Sequence, residues 1–463
     1  MNQIKNFDAI LIGKNIRKAR KEKGYSIAVL SSLCKISVGK LSNIENGKTD
    51  VVSKNDINKI AKALMISVDD IIIPEAYKFP SELEPVIDEL QMVNNYISMN
   101  LIDLAKENLH TIKSELFDNH YDYLKPCLNF LSGEIEKQAH NFESAIQFFS
   151  SVINVQYDYI YGINYKIRSI NALSCLYFSR FQIAEALDTA LLAVDLLTNK
   201  GVSQTEVLNT HFNLAIFYTY AGYLSVGLLH AKSARTIAIS NLYSNYKHEV
   251  CYLIGVIELQ RKEYINAFYY LKETSSYFQR EKDIQYLYRC IYSLYLLIDH
   301  LPAAEKKMIT SLEQGIVTDF YDYKLNNDQI YIYLSLIHKI VEKHIQSNEY
   351  DQAFKLLNMC LEYKRDIPED RIHYKTHHLL AKLTNKMNGD PELVKQHLVD
   401  SLSYLSSEKS KVKAMILYEL AMCSTDEKDN SPFQESSNIF YEIIKKETQY
   451  KRPFNVIIPD PKY

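Results

Sequence analysis

Apolar residues near the start of the chain return every three to four positions, and residues that favour helix ends separate the runs. Ile12, Ile16 and Ala19 mark one helical face, which Gly24 ends. Ser26 is a good N-cap for a second helix carrying Val29, Leu30 and Leu33. Ser37 caps a short third helix with Leu41 and Ile44 inward, and Gly47 stops it. A fourth helix near 54–64 buries Ile57, Ile60, Ala61 and Leu64, and a short fifth starts after Ser67. The second and third helices, joined by a short turn, predict a helix-turn-helix, whose second helix can enter a DNA major groove.

Beyond Pro80 and Pro85, which bracket a predicted linker, the pattern becomes a repeat. Gly133, Ser174, Ala215 and Gly255 are small residues 41, 41 and 40 positions apart. Small residues follow at Ala145, Ala186, Gly227 and Ala267, and then Phe149, Ala190, Ala231 and Leu271. Small side chains at fixed places let two antiparallel helices pack closely. The aromatics near each turn, Phe142, Phe181, Tyr223 and Tyr264, are expected to fill the next unit's gap. A looser copy of the turn recurs at Asn348–Phe354, and eight or nine hairpins are predicted between 85 and 447. The segments are 1–75 as a head, 76–120 as linker and first helices, 121–447 as hairpins, and 448–463 as a Pro-bearing tail or cap.

The 463 residues exceed one ordinary core. Only 12 Gly and 11 Pro disfavour a turn-rich β fold, so the class is all-α. The 36 Tyr suit helix packing with polar tips at the surface. The net charge of −3 divides into +5 for 1–75 and −8 for the rest, so the head is suited to a polyanion. The seven cysteines are scattered, without a C-x-x-C pair, and read as buried reduced thiols. No signal-peptide or membrane-spanning run is found, which predicts a cytoplasmic protein without membrane contact.

Phosphate-loop, dinucleotide, zinc-protease and nucleophile-elbow motifs are missing, so neither catalytic residues nor a cofactor is expected. His373, His377 and His378 share one predicted helix and are expected at the surface beside a groove rather than on a metal.

The run from Arg17 and Arg20 through Gly24-Tyr25-Ser26 to Ile44-Glu45-Asn46-Gly47-Lys48 resembles the Cro/repressor-like (Xre) family over about 65 residues. The resemblance implies a five-helix DNA-binding domain with Val38, Gly39, Lys40, Ser42 and Asn43 facing the groove. Lysine can donate to guanine, asparagine can pair with adenine, and valine can touch a thymine methyl. Lys48, Thr49, Ser26, Ser37, Arg17 and Arg20 are the further expected contacts, chiefly to phosphate. The chain departs from the family pattern at Ile27, where glutamine is common, at one extra residue after Gly47, and at Gly39 inside the reading helix.

The repeats resemble tetratricopeptide repeats with lengthened helices, which implies a right-handed superhelix with a concave wall of first helices. On that pattern Glu134, Arg168, Asn171, Asn209, Glu249 and Tyr252 line the wall, with Asn213 and Tyr218 close by. Asparagine can pair with any peptide backbone, and arginine can hold a carboxylate.

The two parts together resemble the RRNPP peptide-pheromone receptors of Gram-positive bacteria. That resemblance implies a homodimer on a palindromic operator, controlled by a short signalling peptide. The alternatives are a protein-interaction scaffold with an autoregulatory head, or a response-regulator phosphatase or inhibitor acting through 85–118, with Glu89 or Gln91 involved.

Overall fold

The computed structural model describes residues 9–49, 52–66, 68, 71, 83–116, 118–319, 327–363, 372–405, 410–423 and 431–446. Every regular element among them is helical. The predicted fifth head helix apart from residues 68 and 71, the whole 76–82 stretch and the 448–463 tail lie outside the described residues.

The head has four described helices: α1 (Ala9–Glu22), α2 (Ile27–Cys34), α3 (Val38–Glu45) and α4 (Lys54–Leu64). Their polar–apolar rhythm closes one small core from Ile12, Ile16, Leu30, Cys34, Leu41, Ile44, Ile57, Ile60, Leu64 and Ile71. On α2 only Leu30 of the three expected apolar residues turns inward, while Val29 and Leu33 are exposed. A helix of eight residues offers one buried stripe, and Leu30 with Cys34 fills it. Gly24 and Gly47 sit at φ +70° and +66°, the left-handed conformation expected of helix-stopping glycines.

Among the described residues the helices after residue 83 pair into nine hairpins. They are α5 (Glu84–Ser98) with α6 (Ile102–Glu115), α7 (Asp118–Gln138) with α8 (Phe142–Ile153), and α9 (Ile160–Ser179) with α10 (Ile183–Leu191). Next come α11 (Gln204–Tyr220) with α12 (Leu224–Ser240), α13 (Ser244–Gln260) with α14 (Tyr264–Glu281), and α15 (Ile284–Leu297) with α16 (Ala303–Asp319). The last are α17 (Asn327–Gln346) with α18 (Tyr350–Tyr363), α19 (His373–Lys386) with α20 (Pro391–Ser403), and α21 (Lys411–Cys423) with α22 (Ser431–Lys446). Pro85 lies in the first turn of α5, where a missing N–H costs nothing, and so opens a helix rather than closing a linker. Two compact units meet within α11, one up to Asn213 and one from Leu214. In the first unit one core cluster runs from Leu83 to Leu176.

Seven of the hairpins turn in the same way. Asn100, His140, Phe181, Gly222, Lys262, Asn348 and Asn388 all adopt φ between +53° and +86°. The next N–H in each case reaches back five residues, as in Asn141 N to Glu136 O at 2.8 Å and Tyr223 N to Tyr218 O at 2.8 Å. This satisfies carbonyls that a helix end leaves open. The small-residue repeat has its expected consequence at Gly133, where a Cβ would stand 2.5 Å from the Phe149 ring, and at Gly255, where it would stand 2.9 Å from Leu271. The turn aromatics behave less uniformly than expected. Phe142 packs against the core and Tyr264 stacks on His300 at 4.0 Å, but Phe181 and Tyr223 are largely exposed. The left-handed turn at Phe181 directs its side chain outward.

Six cysteines are buried and Cys423 is half-buried. His373, His377 and His378 are buried rather than on the surface, because α17, α18 and α20 pack against their helix. Among the described residues no single helix is long and apolar enough to cross a membrane.

Candidate nucleic-acid interface and first-helix wall

α2 and α3 meet at 112° across the turn Lys35–Ile36–Ser37, the geometry of a helix-turn-helix. Lys35 makes the turn with a left-handed φ of 52°. Ser26 caps α2 by accepting from Val29 N at 3.2 Å, and Ser37 caps α3 by accepting from Lys40 N at 3.3 Å. Both serines stand exposed at helix N-termini, where partial positive charge favours a phosphate.

The approach of α1 to α3 fixes how the third helix is presented. A Cβ on Gly13 would lie 2.2 Å from the Ile44 carbonyl oxygen, so only glycine fits there. Arg20 completes the clamp. Its Nε and Nη2 donate to the two Glu45 carboxylate oxygens at 2.7 and 2.9 Å, and Nη1 donates to Tyr25 O at 2.7 Å. The expected phosphate role of Arg20 is therefore corrected: its guanidinium is only 12% exposed and is engaged inside the head. Arg17 and Lys48 remain exposed, and Thr49 is half-buried.

The outer face of α3 presents Val38, Gly39, Lys40 and Asn43, all exposed. Lys40 also reaches α4, placing Nζ 2.7 Å from Asp56 Oδ2. Burial would raise the Asp56 carboxyl, but hydrogen bonds from Lys40 and Ser53 outweigh it and hold the group below its ordinary value. Ser42 is half-buried, and its hydroxyl and carbonyl receive the Asn46 amide. The exposed outer face of α3 therefore consists of Val38, Gly39, Asn43 and the exposed part of Lys40.

The expected wall residues lead to a different arrangement. Between α9 and α11, four polar links join residues one repeat apart. Ser203 N donates to Asn164 Oδ1 at 3.0 Å, Arg168 Nε to Glu206 at 2.8 Å, Asn171 Nδ2 to Thr210 at 3.1 Å, and Asn213 Nδ2 to Cys175 Sγ at 3.5 Å. The second unit repeats the device. Tyr286 donates to Glu249 at 3.1 Å, His338 meets Thr376 at 2.8 Å, and His378 meets Glu419 at 2.7 Å. Glu134 is buried against Lys137 of its own helix at 2.6 Å. Tyr218 is half-buried and stacks on His230 at 5.5 Å.

Tyr252 departs furthest from expectation. It is fully buried, edge-on to Tyr286 at 5.8 Å, so it is core and not wall. The cause is the unbroken buried run Val250–Leu259 around it on α13. Asn209 and Glu206 retain unmet polar capacity. Asn209 Oδ1 and Glu206 Oε2 are buried with no hydrogen-bond partner. Burial pushes the Glu206 carboxyl above its ordinary value although Arg168 pulls it down. Periodicity alone could not have singled out Glu206, whose significance lies in its pairing across the repeat. On α5, Glu89 and Gln91 are exposed, and Gln91 donates to Asn95 at 3.4 Å.

Comparison with known proteins adds to both halves. Residues 13–72 match the family described as helix-turn-helix domain. The HTH-type transcriptional repressor RghR of Bacillus subtilis (strain 168) is 27% identical over 134 residues, which is 27% of this chain and 95% of that protein. The apo form of RapI superposes with a TM-score of 0.57 at 13% identity, covering 79% of this chain and 99% of RapI. The apo quorum sensor NprR of B. thuringiensis gives 0.54 at 16% identity, again covering 79% and 99%. Residues 13–72 are thus a helix-turn-helix domain, and the helical hairpins share the fold of RapI and NprR.

Proposed function

We propose that the protein is a DNA-binding transcription regulator whose hairpins bind a short signalling peptide that controls operator binding by a homodimer. The carrying observation is the clamped, outward face of α3, set at 112° to α2 inside a helix-turn-helix domain. Val38 and Asn43 offer a methyl contact and a bidentate amide to base edges, while Arg17, Lys48 and the two capped helix N-termini suit the phosphates. RghR, a transcriptional repressor, supports the same reading of the head.

The peptide half rests on the shared fold with NprR, described as a quorum sensor, and on Glu206 and Asn209. A buried polar atom without a partner can be completed by a ligand or by an ordered water. An extended peptide has backbone N–H groups to give to Asn209 Oδ1 and Glu206 Oε2. The peptide then favours one arrangement of the hairpins, and that arrangement sets the separation of two heads on half-sites about 34 Å apart or a multiple of it.

The test is selection of bound duplexes from a random pool, repeated with peptides that co-purify from the native host. A recovered palindrome whose affinity changes with one peptide is the expected result. Recovery of no preferred duplex refutes the DNA half. A preferred duplex bound identically with every co-purifying peptide refutes the peptide half.

A further inference from the structure

One side-chain cluster in the second unit belongs neither to the head nor to the links between first helices. His377 on α19 meets His397 and Asp400 on α20, the other helix of the same hairpin. One ligand-bearing atom from each lies within 4.8 Å of the other two. His397 and Asp400 are three apart on a helix and so share a face.

The spacings suit a cation better than a hydrogen bond. His377 Nδ1 and Asp400 Oδ2 stand 3.6 Å apart, too far for a hydrogen bond of useful strength. Two ligands on a tetrahedral zinc centre, each about 2.0–2.1 Å from the metal, stand about 3.3 Å apart. An ion between His377 and Asp400 requires only a small side-chain adjustment, and a ligand atom of His397 lies within 4.8 Å of both. Gln396 Nε2 donates to Asp400 Oδ1 at 2.9 Å, which orients the carboxylate and leaves Oδ2 for a ligand role. His397 Nδ1 is buried without a hydrogen-bond partner. The Tyr404 ring lies against His377 at 6.0 Å and 22°, which holds that imidazole in place. Asp400 is 37% exposed, so the cluster has a route from solvent.

We propose that His377, His397 and Asp400 bind one divalent transition-metal ion of the zinc type and so pin α19 to α20. Two imidazoles and a carboxylate suit zinc and its borderline neighbours and are poor for magnesium or calcium. The three protein ligands leave one position of a tetrahedron for water or an exogenous donor. The site stands independently of the DNA-binding reading.

The test uses the full chain, stripped with EDTA and titrated with Zn²⁺, and in parallel with Co²⁺ as a coloured stand-in. One zinc per chain should remain after desalting, Co²⁺ should give the spectrum of a four-coordinate site, and the thermal midpoint should rise by a few degrees, reversibly. Asp400→Asn and His397→Gln nearly preserve side-chain size, and each should weaken metal binding at least ~10-fold while leaving helicity by circular dichroism unchanged. Failure of the wild-type chain to take up zinc overturns the proposal. Equal uptake by wild type and both variants also overturns it, because the metal would then sit elsewhere, for example on cysteine.

Discussion

Asn43 on α3 and Asn171 on α9 are the same residue type on helices of similar character, yet they meet opposite surroundings. Asn43 stands exposed on the outer face of the head. Asn171 has no exposed surface and is bonded to Thr210 one repeat later. The head uses the shielded Arg20–Glu45 pair and the capping serines to hold α3 in place, and leaves the α3 surface open. The hairpins use their polar residues to join one first helix to the next. An open amide can recognise a partner, whereas a buried, bonded amide chiefly fixes the register between repeats.

The sharpest way to break this contrast is to release the clamp. Arg20→Ala leaves Glu45 buried and charged without its partner, which should cost the head about 3 kcal/mol. Hydrogen exchange of α1 and α3 amides in the full chain measures it, and unchanged protection would show that the clamp is dispensable. Asn171→Ala should cost about 1–3 kcal/mol, less than the clamp because Thr210 keeps its bond to Glu206 O at 2.9 Å. Exchange protection in α9 and α11 reads that loss.

Much of the architecture was legible in the sequence. The glycine stops, the serine caps and the inward stripe of Ile12, Ile16, Leu41, Ile44 and Ile57 follow from local rules, and local rules decide the head. The repeat was legible from 133 to 271 because small residues there are forced by close packing, as at Gly133 against Phe149. The copies at Asn100 and Asn388 were hidden and the one at Asn348 showed only loosely, because a left-handed turn can be made by asparagine, lysine or even phenylalanine as well as by glycine. The wall was the least legible part. A polar residue on a helix looks the same whether it meets solvent or a residue 38 positions on, and only the fold brings Arg168 to Glu206. The buried histidines escaped for the same reason, since α17, α18 and α20 cover them.

Two smaller effects refine the comparison. Gly39→Ala should stabilise α3 by about 1 kcal/mol, since nothing lies within 4 Å of the added Cβ and alanine is the better helix former. Thermal unfolding followed on the head tests it, and destabilisation would mean that the α3 surface is not open there. Lys262→Gly should gain up to ~1 kcal/mol by relieving a left-handed lysine at φ 64°. Denaturant unfolding of the hairpins is the readout, and a loss instead would show that the lysine contributes more than its backbone strain.

The most direct measurement compares duplex affinity and sequence preference of the wild-type chain and Asn43→Ala by fluorescence anisotropy on the selected operator. Asn43 supports no buried contact in the head, so the fold should be unaltered while affinity falls by about 1–3 kcal/mol and preference relaxes at one base pair. Unchanged affinity together with unchanged preference would contradict the assignment of α3 as the reading helix.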